Sequence, residues 1–263
     1  MRLNVVCVQM NITFGDPESN FRHAEQLIQQ ASETKPDILV LPELWTTGYD
    51  LSRLSELADR DGIQTTSFIR TLAKQLNIHM IAGSTAKKTE QGITNTMLFV
   101  DRHGDVLGEY NKVHLFQPMN EDRYLLPGQD KGLFTLEGIT CAGVICYDIR
   151  FPEWIRAHTV KGASIVFVTA EWPLARLHHW KSLLISRAIE NQCFVVACNR
   201  SGSDPVHVFA GHSMIIDPWG NVLAEAGEEE ALVSAMLDLQ IVDEVRRSIP
   251  LFADRRPDLY GDH

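Results

Sequence analysis

Short, nearly uninterrupted apolar runs punctuate this chain, and stretches with a 3.6-residue apolar period separate them. Residues 3–9, Ile38-Leu39-Val40-Leu41 and Ile165-Val166-Phe167-Val168 are too short for core helices and lack the polar alternation that one wet face imposes. Such runs are strands covered on both faces, and that demand fixes an α/β class. After the first run, Asn20 is placed to cap a helix whose Phe21, Ala24, Leu27, Ile28 and Ala31 keep helical spacing. The same reading predicts helices over 65–76, 151–160 and 174–191. Strands are expected near 78–83, 94–101, 106–110, 133–136, 139–145, 164–169, 193–199, 212–216, 222–225 and 231–237, followed by a short helix and a polar tail. A long polar loop covers 111–132. Neither a linker nor a low-complexity segment divides the chain, so residues 1–263 read as one domain.

One passage repeats. Asp101-Arg102-His103-Gly104-Asp105-Val106-Leu107-Gly108-Glu109 has an echo in Asp217-Pro218-Trp219-Gly220-Asn221-Val222-Leu223-Ala224-Glu225. Each has the form of a hairpin with a glycine in its turn. Two ordinary hairpins or two halves related by a pseudo-twofold axis would both produce it.

Composition removes whole classes of function. A formal net charge of -10 and no Lys/Arg cluster argue against nucleic-acid binding. The longest apolar stretches fall far short of the roughly 20 residues a membrane helix needs, and Met1-Arg2-Leu3-Asn4 does not open a secretion signal. Five cysteines without a Cys-x-x-Cys pair fit neither a disulfide framework nor a structural zinc site, so a reducing, cytoplasmic setting is expected. The histidines lack spacing such as His-Glu-x-x-His, so no metal or other cofactor is expected.

The chemistry centres on Val144-Ile145-Cys146-Tyr147-Asp148-Ile149, where an apolar strand stops and Arg150-Phe151-Pro152-Glu153 opens a helix. A thiol at such a junction faces the mouth of a sheet, with backbone N–H groups beside it to meet a developing anion. A cysteine nucleophile needs a base and something positive nearby. No histidine stands at a strand end with an evident orienting partner. Glu43, in Leu41-Pro42-Glu43, follows a strand buried on both faces, where partial desolvation suits a general base. Lys112, in Tyr110-Asn111-Lys112-Val113-His114-Leu115-Phe116, is hemmed in by apolar neighbours. Taken singly, each has a plainer reading: the cysteine as core filling, Pro-Glu as a turn, the lysine as a snorkelling surface residue.

Together, in this order, the three segments resemble the glutamate, lysine and cysteine motifs of the nitrilase superfamily of carbon–nitrogen hydrolases. The resemblance implies a four-layer α-β-β-α sandwich, often a homodimer whose sheets extend across the interface, and a small-molecule amide as substrate. It implies that Glu43 is the base, Cys146 the nucleophile, and Lys112 with the N–H of Tyr147 the oxyanion donors. Many members carry a second active-site glutamate, for which Glu121 stands at the matching distance before Pro127-Gly128. The chain is most similar to the omega-amidase group, which acts on 2-oxoglutaramate or 2-oxosuccinamate. The far carboxylate of such a substrate would need Arg150 or Arg176, and Trp45, Phe116, Tyr124 and Trp172 would wall its pocket. Hydrolysis of an N-carbamoyl amino acid, an aliphatic amide or a nitrile, or a silent scaffold of this fold, stands as the alternative.

Overall fold

The computed structural model describes residues 1–261. In chain order its elements are β1 (Arg2–Gln9), α1 (Pro17–Ser32), β2 (Ile38–Val40), α2 (Leu54–Leu57), β3 (Asp59–Arg60), α3 (Ile63–Leu76), β4 (His79–Lys88), β5 (Ile93–Val100) and β6 (Val106–Asn111). Then follow β7 (Leu133–Leu136), β8 (Ile139–Ile145), α4 (Pro152–Thr159), β9 (Ile165–Ala170), α5 (Leu177–Asn191), β10 (Phe194–Asn199), β11 (Met214–Ile216), β12 (Val222–Glu225), β13 (Ala231–Asp238), α6 (Gln240–Ser248) and α7 (Pro257–Tyr260).

Two sheets result. One runs β13-β1-β2-β4-β5-β6 with β3 on the side of β4, and the other runs β12-β11-β10-β9-β8-β7. Strand β1 shows why its sequence does not alternate. Val6 and Val8 pack outward with Ala24 and Ile28 of α1 and Ile69 of α3. Val5 and Cys7 turn inward to the apolar layer shared with Phe167 and Val196 of the other sheet. Both faces are therefore dry, as expected for strands sandwiched between a helix layer and a second sheet. With α4 and α5 on the far side, the order is helix, sheet, sheet, helix.

The internal echo is architectural. Strands β1, β2 and β4 are parallel neighbours, and β5 and β6 continue antiparallel; β8, β9 and β10, then β11 and β12, repeat that pattern. The two hairpin turns share their bonding as well. Asp101 accepts from the N–H groups of His103 and Asp105, and Asp217 accepts from those of Trp219 and Asn221.

One expected element boundary moves. Helix α1 begins at Pro17, with Asp16 capping the N–H of Ser19 at 3.0 Å. Asn20 lies one turn inside and is fully buried. Its side chain receives the N–H of Thr13 and donates to the carbonyls of Thr13 and Thr46, so it caps a loop rather than the helix. The expected helix over 174–191 starts with a single 3₁₀ turn, Leu174–Arg176. Within 111–132 there are two further 3₁₀ turns, Gln117–Met119 and Glu121–Arg123. Among the described residues, no helix is long and apolar enough to cross a membrane.

The sheets pack tightly at Gly143, where a Cβ would lie 2.5 Å from the Met97 sulfur and from the ring of Phe99. Gly143→Ala is therefore expected to lower stability by about 1–3 kcal/mol through overpacking. Urea unfolding checks this, the midpoint falling while the slope stays unchanged.

Candidate active site

The exits of β2, β6 and β8 converge at one end of the sandwich. Glu43 leaves β2 through Leu41-Pro42, and the turn closes over Gly83, whose missing side chain leaves room for the Pro42 carbonyl; a Cβ there would stand 2.1 Å from it. Gly83 also sits at φ +61°, a conformation glycine tolerates best. Lys112 follows β6, held by its own N–H on the Asn95 carbonyl at 2.9 Å. Cys146 ends β8 with φ 46°, a left-handed conformation that turns the chain sharply into the 3₁₀ turn Cys146–Arg150.

The head groups touch. Lys112 Nζ donates to Glu43 Oε1 at 2.8 Å and to Glu121 Oε1 at 2.6 Å, and all three side chains are wholly buried. Asn95 Nδ2 donates to Glu43 Oε1 at 2.8 Å, and the N–H of Glu171 donates to Glu43 Oε2 at 2.8 Å. Glu121 is fixed in turn by the hydroxyl of Tyr49 and by the N–H of Phe116 at 2.7 Å. The Cys146 thiol feels the charges of Glu43 and Lys112. Burial pushes that thiol well above its ordinary value, with the Glu43 charge adding to the effect and Lys112 opposing it. Burial also raises the carboxyl of Glu121, followed by the charge of Glu43. Lys112 stays protonated: burial acts against its charge, but Glu43 and Cys146 together outweigh that and raise it.

Asp148 locks the cysteine turn to the lysine segment. Its carboxylate accepts the N–H of Ile145 at 2.8 Å, the Tyr110 hydroxyl at 2.7 Å and the N–H of His114 at 3.1 Å, with His114 Nδ1 at 2.7 Å. The His114 ring stacks on Phe151 at 3.7 Å. The His114–Asp148 pair, Asn95 and Tyr49 are not evident in the sequence. The one trace of Asn95 is an amide on the buried side of a strand.

Beside the thiol lies a small pocket lined by Phe116, Cys146, Tyr147, Arg150, Glu171, Trp172, Pro173 and Arg176. The Arg150 guanidinium stacks on Trp172 at 4.7 Å and that of Arg176 on Phe116 at 5.4 Å. Among the described residues neither guanidinium lies within ion-pair distance of a carboxylate, whereas Arg187 and Arg200 do. Wider depressions, such as the open one lined by Asp61, Arg70 and Lys74, hold none of the reactive groups.

Two expected pocket walls lie elsewhere. Leu44 has φ 42°, which reverses the chain so that Glu43 points inward and Trp45 points into the outer layer. There the Trp45 ring packs on Phe21 at 4.9 Å and its N–H donates to the Ala82 carbonyl at 2.8 Å. Tyr124 is 42% exposed and lines no part of the cavity, because the Glu121–Arg123 turn that buries Glu121 carries the next residue outward.

Known proteins carry the same architecture. A 2-oxoglutaramate amidase from Bacillus subtilis (strain 168) is 55% identical over 99% of this chain and 100% of its own length. An omega-amidase YafV from Yersinia enterocolitica is 34% identical over 96% of each. The crystal structure of Saccharomyces cerevisiae Nit3, a member of branch 10 of the nitrilase superfamily, superposes with a TM-score of 0.91 at 27% identity, covering 97% of both chains. Residues 4–247 match the carbon–nitrogen hydrolase family, and the chain belongs to it.

Proposed function

We propose that this enzyme is an omega-amidase, hydrolysing the terminal amide of 2-oxoglutaramate or 2-oxosuccinamate through a thioester on Cys146. The observation that carries the substrate is the pair of guanidiniums, Arg150 and Arg176, standing beside the thiol without a carboxylate of their own. A guanidinium kept partly buried and unpaired is matched to a ligand carboxylate, which it grips bidentately. The names of the B. subtilis and Y. enterocolitica relatives support the same substrate class.

The residues then divide the work. Glu43 takes the Cys146 proton as sulfur attacks the amide carbon. The oxygen of the tetrahedral intermediate gains negative charge and is met by Lys112 and by the N–H of Tyr147, which lies in a first turn where no helical partner exists. Glu43 passes its proton to the departing ammonia, leaving the acyl group on sulfur. It next draws a proton from water, which attacks the thioester and releases the acid, and the proton returns to sulfur. Asn95 and the Glu171 N–H keep both oxygens of Glu43 aimed, while Glu121 holds Lys112 in place.

All five cysteines are free thiols, which fits the cytoplasmic setting read from the sequence. The enzyme is further read as a homodimer, and light scattering on the eluted protein should give about twice the chain mass of 29.6 kDa.

Ammonia release across a panel of amides tests the substrate. The wild type should turn over 2-oxoglutaramate and leave N-carbamoyl-alanine and a simple nitrile nearly untouched; the reverse order would sink the reading. Arg150→Ala should cost about 10–100-fold in kcat/KM, the worth of a charged hydrogen bond, mostly through KM. Iodoacetamide should label Cys146 ahead of Cys7, Cys141, Cys193 and Cys198, which lie wholly within the core. Glu43→Gln should lower turnover by about 10²–10⁴-fold and slow that labelling.

A further inference from the structure

Glu171 is not used by the scheme above except through its backbone, yet its side chain is held under unusual conditions. It follows β9, is 1% exposed, and lines the cavity with Cys146 and Trp172. Its Oε2 accepts from Arg200 Nη1 at 2.9 Å. Arg200 is itself fully buried and fixed on every side: Nη2 donates to the Ile12 carbonyl at 2.7 Å, Nε to the Ser201 carbonyl at 3.1 Å, and the guanidinium stacks on Phe209 at 4.1 Å. The other carboxyl oxygen, Oε1, is buried and has no partner. Leaving a buried carboxylate oxygen bare is costly, so the group is expected to find a partner when the cavity is filled.

The position indicates which part of the substrate is available. The N–H of Glu171 holds Glu43, whose charge acts on the Cys146 thiol. The next residue, Trp172, carries the stacked Arg150. Glu171 therefore stands between the reacting amide and the guanidiniums assigned to the far carboxylate. In a 2-oxo dicarboxylate monoamide, that stretch carries the oxo group.

The charge state follows from counting neighbours. Four buried carboxyls, Glu43, Glu121, Asp148 and Glu171, stand around two buried cations, Lys112 and Arg200. Asp204 adds negative charge nearby, and Arg150 and Arg176 stand across the cavity. The excess of buried negative charge favours a proton on Glu171 as well as on Glu121, whose carboxyl burial also raises. Burial pushes Glu171 up to about 8, with Arg200 opposing and Glu43 adding to the rise. At neutral pH its unpaired oxygen is then an O–H donor.

We propose that Glu171, anchored by Arg200, is a specificity-determining residue that donates a hydrogen bond from Oε1 to the 2-oxo oxygen of the substrate. This rests on the omega-amidase reading and deepens it. A site built around a donor discriminates against an analogue that leaves the donor unpaired.

The test compares kcat/KM for 2-oxoglutaramate with that for glutaramate, which lacks only the oxo group. The wild type should favour the oxo compound by about tenfold or more, and the ratio should fall as pH rises through 8, because the carboxylate form cannot donate. In Glu171→Gln the amide still donates and its oxygen still accepts from Arg200, so the preference should persist and lose its dependence on pH. In the double variant Glu171→Leu/Arg200→Met, which leaves no orphaned buried charge, the ratio should collapse toward unity. An unchanged ratio in the double variant, or a wild-type ratio that is flat across pH 8, overturns the assignment; the second needs no altered protein. Failure of the wild type on both amides overturns the substrate reading and this inference with it, whereas turnover of both at equal rates overturns the inference alone.

Discussion

A single ammonium sealed from water organises this end of the molecule. Lys112 is wholly buried, and an unpaired charge there would cost several kcal/mol even after relaxation. It is stable only because Glu43 and Glu121 both reach it. Those carboxylates come from separate segments, the exit of β2 and the turn after Phe116, so the ion cluster ties together loops that would otherwise be free to wander. Removing any one member would leave the others as uncompensated buried charge. The groups assigned to catalysis in the proposed scheme are therefore also structural groups. The rigidity that general base and oxyanion donor need arises from the energetics of burying them.

The duplicated architecture explains how these groups come to lie so close. Because β2 and β9 occupy equivalent places in their sheets, the acids that follow them, Glu43 and Glu171, approach across the space between the sheets. The N–H of one binds the carboxylate of the other at 2.8 Å. The halves have nevertheless diverged. One half supplies Lys112 to its glutamate, while in the other a buried Arg200 takes the corresponding charge. An arginine fixed by two carbonyls and an aromatic face is a poor mobile partner but a good anchor, which suits a glutamate that orients substrate better than one that shuttles protons.

Much of this was legible in the residues. Nearly unbroken apolar runs such as 3–9 predicted strands dry on both faces because burial on both sides leaves few positions for a polar side chain. Glu43, Lys112 and Cys146 each stood at a strand exit, and β2, β6 and β8 all exit at one end of the sandwich. Trp45 failed that logic: its sequence neighbourhood is that of Glu43, but a left-handed Leu44 sends the two to opposite layers, and nothing in Leu44 itself announces that conformation. Tyr124 failed for the same kind of reason, a tight turn that buries one residue and exposes the next. The Asn20 error was local competition, since Asp16 followed by Pro17 makes the better helix start and frees the asparagine for the loop. Asn95, Tyr49 and Asp148 were silent because their importance lies in what they touch across the fold, which spacing along a chain does not encode.

The electrostatics also bear on when the nucleophile is made. A thiolate formed in the empty site would join a cavity already crowded by three carboxyl groups, and burial and Glu43 both hold the Cys146 proton in place. Lys112 alone favours ionisation, and its charge is already shared between two carboxylates. Sulfur therefore gains little by losing its proton in advance. The balance changes as the carbonyl is attacked, since negative charge passes from sulfur to an oxygen facing Lys112 and the Tyr147 N–H. Proton transfer to Glu43 and formation of the carbon–sulfur bond then relieve one another. In the proposed mechanism the cluster offers little stabilisation to the free thiolate and much to the tetrahedral oxyanion, and that difference, rather than a lowered thiol pKa, lowers the barrier.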